Sequence, residues 1–396
     1  MALGTPCDTN ITEAARLMDE FAERTGLTSE RRQQRYLWTD AFAVCNFLGL
    51  ARSTGEHRHL ELALQLVDQT HRTLGRHRND DPRDGWISGL NAAEAEVHPT
   101  RGGLRIGKEL PERGPDEAFD ERREWERDGQ YFHYLTKWMH ALDQAGRATG
   151  DPRFNRWARE LAAAAHKAFT YLPAAGGAPR MYWKMSIDLS RPLVPSMGQH
   201  DPLDGYITIM QLRFAPAALP EGASGPDLEE PARQFKSMLA SAELASPDPL
   251  GIGGLLCDAH RVAQLTRHQA MPDDGLLERL LTAALTGLQY YARTGELRKP
   301  APDRLAFREL GLAIGVRAVD RMWQEAGQDR LTISAEARAL LEVLLDFVSL
   351  GDDIESFWRH PEHRHAATWS AHRDINAVML AACLAPDGFL VLLAGY

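Results

Sequence analysis

Long apolar runs are missing from this sequence. No stretch reaches the roughly 18 consecutive apolar residues that crossing a bilayer requires, and the first residues lack the basic-then-apolar pattern of a secretory leader. The expected setting is the cytoplasm, with no membrane partner. Cysteine is scarce as well. Cys7, Cys45, Cys257 and Cys383 lie far apart and three of them sit in apolar helical runs, so they read as buried free thiols of a reducing compartment and not as a disulfide framework. There is no excess of positive charge: 45 Lys and Arg face 55 Asp and Glu, a net charge of -10. That excludes nucleic acid as the main partner, because binding phosphates needs a basic face. Period-two alternation is rare, which excludes a sheet-built fold; Met181–Leu189 is the best strand candidate, as one arm of a hairpin. Gly102-Gly103-Leu104-Arg105-Ile106-Gly107 lacks the strand–turn–helix setting of a phosphate-cradling loop. No nucleophile elbow is visible either. No cofactor is expected.

What is present is helix. The chain has 396 residues, 44% of them hydrophobic, and Ala, Leu, Glu, Arg and Gln fill long stretches whose apolar residues recur at three and four. The helices come in pairs. After one at about 11–25, the pairs lie at about 36–52 and 57–77, 128–149 and 151–171, 202–215 and 228–243, 251–267 and 275–293, and 304–324 and 335–350, with a last helix at about 369–384. The first partner of each pair is the more apolar. A helix apolar all round lies inside and a charge-striped one faces water. Short links such as Ser53-Thr54-Gly55 and Thr149-Gly150-Asp151-Pro152 suit tight helical hairpins. A single compact core stops growing near roughly 250–300 residues, so a longer single domain must close on itself. The expected fold is all-α, an (α/α)6 toroid spanning residues 1–396 as one domain. Uneven hairpins argue against an open array of fixed period. The largest insertion, 78–126, carries Trp86, Leu104, Ile106, Phe119 and Trp125 as anchors and is expected to be an ordered lid over the site.

In such a fold the inner helices start at one rim, where free N–H groups and positive dipole ends gather. Those starts carry Arg35, Tyr36, Trp38 and Asp40; Trp125, Asp128, Gln130, Tyr131 and His133; Gln199, His200, Asp201, Asp204 and Tyr206; Asp303, Arg304, Arg308 and Glu309; and Trp369, His372, Arg373, Asp374 and Asn376. Only the fourth start, Leu250-Gly251-Ile252-Gly253-Gly254, is bare. Each acid alone can be read as a first-turn residue complementing its helix dipole. Together, aromatic platforms with carboxylates and arginines are the usual lining of a sugar site. Trp38, Trp369 and His372 are expected to line one pocket.

Several of these segments resemble the N-acylglucosamine 2-epimerase family of (α/α)6 barrels. Gln34-Arg-Tyr-Leu-Trp-Thr-Asp-Ala-Phe42 with Leu50–Leu60 resembles its first inner helix and turn. Asp128–His133 through Thr149-Gly-Asp151 is similar to the next, Met197-Gly-Gln-His200 with Asp204 to the third, and Trp369-Ser-Ala-His372-Arg373 to the last, where the family has a catalytic histidine. The family's second catalytic histidine would fall at the fourth start, where this chain has none; His260 lies about 13 Å further along at 1.5 Å per residue.

Three readings follow. In a sugar 2-epimerase or aldose–ketose isomerase, His372 and His200 would move a proton next to a carbonyl, with Arg35 and Arg373 stabilising the enolate oxygen. In a glycoside hydrolase or unsaturated-uronide lyase, two carboxyl groups among Asp40, Asp128, Asp204 and Glu309 would do the work. In a sugar-binding protein the pocket would hold sugar unchanged. Arg35, Trp38, Asp40, Tyr131, His133, Arg308, Glu309, Trp369 and Arg373 would bind substrate. Arg101, Arg105 and Lys108 would grip an anionic sugar, or simply face solvent. His360, His363 and His365 have ligand-like spacing but no cysteine or acid partner with familiar spacing nearby, so no metal is expected. The partner is a small sugar, and the chain is a monomer or homodimer.

Overall fold

The computed structural model describes residues 6–214, 225–240, 242–272 and 274–392. The chain folds as two compact units. One is built from residues up to Ala22, Asn46–His59 and Glu243–Leu392; the other from Glu23–Cys45 and Leu60–Ala242.

In the first unit the helices Pro249–Arg267 and Ala306–Gly327 cross at backbone contact. A Cβ on Gly253 would meet the Gly311 carbonyl oxygen at 2.1 Å, and one on Gly315 would meet the Gly253 carbonyl at 2.5 Å. The glycine-rich helix start that is bare of polar groups is therefore a packing surface. Its N-cap is Asp248, whose carboxylate accepts from the Gly251 N–H, and Pro249 fills the first turn. The helices Leu276–Thr294 and Ala335–Leu344 each bury one apolar face; the exposed face carries Thr282, Thr286, Gln289 and Arg293 on the first and Glu336, Arg338 and Glu342 on the second. The expected helix at 335–350 is interrupted by the 3-10 turn Leu345–Phe347 and resumes as Val348–Arg359.

The last helix also breaks. It runs as Ala367–Ala371 and then Arg373–Leu384, with His372 at the joint (φ -125°, ψ 32°). The Asn376 side-chain amide donates to the Trp369 carbonyl at 3.1 Å, which also accepts the His372 N–H, so the joint is hydrogen-bonded across the break. Trp369, His372 and Asn376 consequently do not share the continuous helical face that their spacing implies. Trp369 and Asn376 are buried, while His372 is exposed.

In the second unit the helices Phe132–Thr149 and Pro152–Phe169 form a hairpin through Gly150, which takes the left-handed conformation at φ 70°. Asp201–Phe214 and Glu229–Leu239 form the next. The helix expected from 128 starts later because Gln130–Tyr131 is a short strand. It pairs antiparallel with Lys184–Met185, which pairs in turn with Pro192–Val194. Gly129, at φ 146°, turns the chain from this strand's approach. The predicted strand segment 181–189 is thus part of a three-stranded sheet plus the short pair Thr170–Tyr171 and Arg180–Met181.

The insertion 78–126 is ordered and bound to that sheet. Arg83 pairs with Asp81, Glu112 and Asp188, and Glu112 accepts from the Ile187 N–H at 2.6 Å. Lys184, fully buried, donates to Glu124 and to the Arg127 carbonyl. Cys45, Cys257 and Cys383 are buried and form no disulfide with one another; the side chain of Cys7 lies outside the described residues. Among the described residues no helix is long and apolar enough to cross a membrane.

Candidate functional site

The second unit gathers aromatic rings around the first turns of two helices. Tyr131 and His133 stack at 5.4 Å, His133 and Trp183 lie nearly parallel at 6.1 Å, and Trp125 meets Trp183 edge-on at 4.8 Å. Trp38 stands edge-on to His133 at 6.1 Å and tilts onto Tyr134 at 5.3 Å. The Tyr36 and Tyr134 hydroxyls share a 2.8 Å hydrogen bond. Tyr36, His133, Tyr134 and Trp183 are half-buried and Trp125 is exposed, so part of this cluster faces outward. Trp125 brings the end of the 78–126 insertion to it.

Two carboxyl groups stand beside these rings, one turn apart on the helix Asp201–Phe214. Asp204 is ion-paired: Lys137 donates to it at 2.8 Å, and both side chains are about nine-tenths buried. Lys137 sits one turn beyond His133 on its own helix, so one helical face presents both. Asp201 is buried too. One oxygen lies 3.6 Å from His133 Nδ1, and the other has no hydrogen-bond partner in the chain. Burial, reinforced by the negative charge of Asp204, pushes the Asp201 carboxyl up to about 8. Burial pushes the His133 imidazole down to about 4. At neutral pH the site therefore holds a protonated acid and a neutral imidazole beside the lysine-paired Asp204.

The remaining residues proposed from sequence divide between the units. In the second, Asp128 is fully buried and accepts from Arg105 at 2.9 Å, from Arg78 at 3.4 Å and from the Gly107 N–H at 2.9 Å. Asp40 is buried, accepts from the Tyr36 N–H at 3.0 Å and lies 3.5 Å from Arg35, which also donates to the Thr25 carbonyl. Asp128, Asp40 and Arg35 are thereby tied into the framework under the aromatic cluster. His200 is half-buried immediately before Asp201. Arg101 pairs with Glu160, and Lys108 donates to the Trp125 carbonyl. In the first unit Glu309 receives a bidentate Arg304 (2.6 and 2.9 Å) and the Trp358 indole N–H at 2.7 Å. Trp369 stacks on Trp358 at 5.7 Å. Arg308 reaches Asp248 at 2.7 Å, His372 stands edge-on to Phe307 at 5.5 Å, and Arg373 is exposed. Among the described residues no three His, Cys, Asp or Glu side chains are grouped to hold a metal ion.

Sequence reasoning passed over Lys137 and Trp183, and put Asp201 at the rim without a role. Lys137 carried a signal, four residues after His133 on an inner helix. Trp183 carried none, because strand pairing brings it in.

Compared with known proteins, the sequence matches no family model and no curated protein. The solved structures are more informative. The fold resembles that of bacterial α-1,6-mannanases. The GH76A α-1,6-mannanase of Salegentibacter sp. HEL1_6 superposes with a TM-score of 0.51 at 11% identity, covering 97% of this chain and 99% of that one. An inactive variant of that enzyme with two aspartates replaced, in complex with α-1,6-mannotetrose, gives 0.52 at 12% identity, with coverage of 97% and 99%. The GH76 α-mannanase of Bacteroides thetaiotaomicron gives 0.51 at 10% identity, covering 96% of each chain. A sugar epimerase from a ruminal bacterium is similar over 85% of this chain and 87% of that one, with a TM-score of 0.45 at 10% identity. The all-α, (α/α)6 class expected from the helix pairs is the class of these neighbours, a scaffold used by carbohydrate-active enzymes.

Proposed function

We propose that this chain is a carbohydrate-active enzyme that cleaves a glycosidic bond, with Asp201 as the acid and Asp204 as its charged partner. One observation carries the reading: a buried carboxyl, raised to about 8 and with one oxygen unpartnered, stands one turn from an ion-paired carboxylate beside outward-facing aromatic rings. Two carboxyl groups whose environments push them to opposite protonation states at one pH are the acid/base signature of such chemistry. Asp201 would give its proton to the leaving oxygen as the bond to the anomeric carbon breaks. Asp204, ion-paired with Lys137, would stabilise the positive charge growing on the sugar. Water then adds at the anomeric carbon, and the proton it sheds restores Asp201. The half-buried rings of Tyr36, Tyr134 and Trp183 would offer faces for sugar C–H groups. The α-1,6-mannanase neighbours make α-mannosides the first substrates to try.

The rival reading is 2-epimerisation through His372 and His200. Its support is that His372 is exposed at a helix break and so accessible.

The test uses α-1,6-linked manno-oligosaccharides and 4-nitrophenyl α-mannoside. Asp201→Asn should lower oligosaccharide cleavage by on the order of 10²–10⁴ while sparing the nitrophenyl substrate, whose leaving group needs no proton. Equal loss on both would remove Asp201 as the acid. Deuterium incorporation at C2 of a reducing sugar, lost with His372→Ala and kept with Asp201→Asn, would establish the epimerase instead.

A further inference from the structure

Three buried polar atoms at this site lack a hydrogen-bond partner in the chain: Nε1 of Trp38, Nδ1 of His133 and Oδ2 of Asp201. Trp38 is 7% exposed and Asp201 3%. A buried donor or acceptor left unsatisfied costs stability, and folded proteins keep few of them. The acid accounts for Asp201. Neither of the other two has a structural account. For packing against Phe42 and Tyr134, Trp38 would serve as well as a phenylalanine. His133 is fixed by rings on several sides, and its Nδ1 lies 3.6 Å from the Asp201 carboxyl, too far for a hydrogen bond.

The chemistry of the two atoms is complementary. An indole N–H only donates, and one ring nitrogen of a neutral imidazole only accepts. A sugar hydroxyl does both. Most charges nearby are matched internally: Lys137 with Asp204, Arg105 and Arg78 with Asp128, and Arg101 with Glu160; Lys108, 6.0 Å from the Tyr131 ring centroid, instead donates to the Trp125 carbonyl. The guanidinium groups that the sequence offered to an anionic sugar are spent on carboxylates. His133 and Asp201 are both uncharged at neutral pH.

We infer that Trp38 and His133 form the specificity edge of this site, reading one hydroxyl of an uncharged sugar ring, so that neutral glycosides are bound in preference to uronides and sugar phosphates. The inference rests on the reading of Asp201 as the centre of the site. Its test uses binding alone and leaves the catalytic reading to be judged separately.

Calorimetric titration of the full chain with methyl α-mannopyranoside, its 2-, 3-, 4- and 6-deoxy analogues and methyl glucopyranosiduronate provides that test. The expected result is binding of the neutral ring at least tenfold tighter than of the uronide. Trp38→Phe keeps the ring and removes the N–H; it should weaken the parent glycoside about five- to tenfold and leave one deoxy analogue unaffected, which identifies the hydroxyl read. His133→Gln checks the same hydroxyl from the acceptor side should the tryptophan variant fold poorly. Two results would overturn the inference: uronide binding at least as tight as neutral binding and lost with Lys108→Met, or variants that weaken every deoxy analogue equally. Neutral glycosides bound selectively but never cleaved would leave this inference intact and sink the hydrolase reading.

Discussion

Replacing Asp201 by asparagine should make the protein more stable, and increasingly so as pH rises. The side chain is 5% exposed, so solvent screening is slight. Its carboxyl is raised from 3.8 to about 8. Between those values the folded chain keeps a proton that the unfolded chain releases. The unfolded state therefore binds fewer protons, and stability falls as pH rises. Each pH unit between the two values is worth about 1.4 kcal/mol, so the full penalty above pH 8 is about 6 kcal/mol. It is absent below the unfolded value and grows through the window from 4 to 8. An asparagine carries no such penalty, but its buried amide costs about 1–3 kcal/mol if left unsatisfied. The variant should thus match or fall below the parent near pH 4 and exceed it by about 3–5 kcal/mol above pH 8. Other groups bend the parent's profile the opposite way. His133 is lowered to about 4 and His71 to about 3, both by burial, so each adds stability as pH rises toward the ordinary histidine value. The difference between the two proteins, not either profile alone, isolates Asp201. Urea unfolding at pH 4.5, 6.0 and 7.5 measures it. Parallel profiles, with a difference constant within about 1 kcal/mol, would show that Asp201 is ionised in the fold and would remove the proton donor from the mechanism.

Lys137→Met takes the lysine from the buried Asp204 carboxylate and should cost about 3–5 kcal/mol in chemical denaturation, most of it recovered by adding Asp204→Leu. Arg304→Ala strands Glu309 beside Trp358 and should destabilise by a similar 3–5 kcal/mol, read as a lowered urea midpoint. His372→Ala, at an exposed joint, should shift stability by no more than about 1 kcal/mol; the same variant should hydrolyse mannosides at the parent rate if the carboxylates do the chemistry. Cleavage of oligosaccharide should decline as pH rises through about 8, the value of the Asp201 carboxyl, and a rate still climbing there would contradict the acid's assignment.

The helical class, the pairing of apolar with charged helices and most helix positions follow from the sequence alone, because periodicity at three and four and glycine-bearing links are local signals. So were the residues near helix starts: Trp38, His133 and Asp204 stand out as polar or aromatic groups where a packing helix needs none. What local pattern could not supply was each group's partner. Asp128 and Asp204 look alike in sequence, yet one is held by Arg105 and Arg78 from the insertion and the other by Lys137 from a neighbouring helix. The glycines at 251, 253 and 254 look like an empty site start, but two backbones crossing within reach of a Cβ explain Gly253. His372 looks like part of a helical stripe until the helix breaks at it. Trp183 enters the aromatic cluster only through strand pairing. Above all, the protonation of Asp201 depends on burial and on a second charge one turn away. Composition and spacing name the residues; only the tertiary environment sets which of two neighbouring aspartates holds the proton, because desolvation and a lysine contributed by another helix act on them unequally.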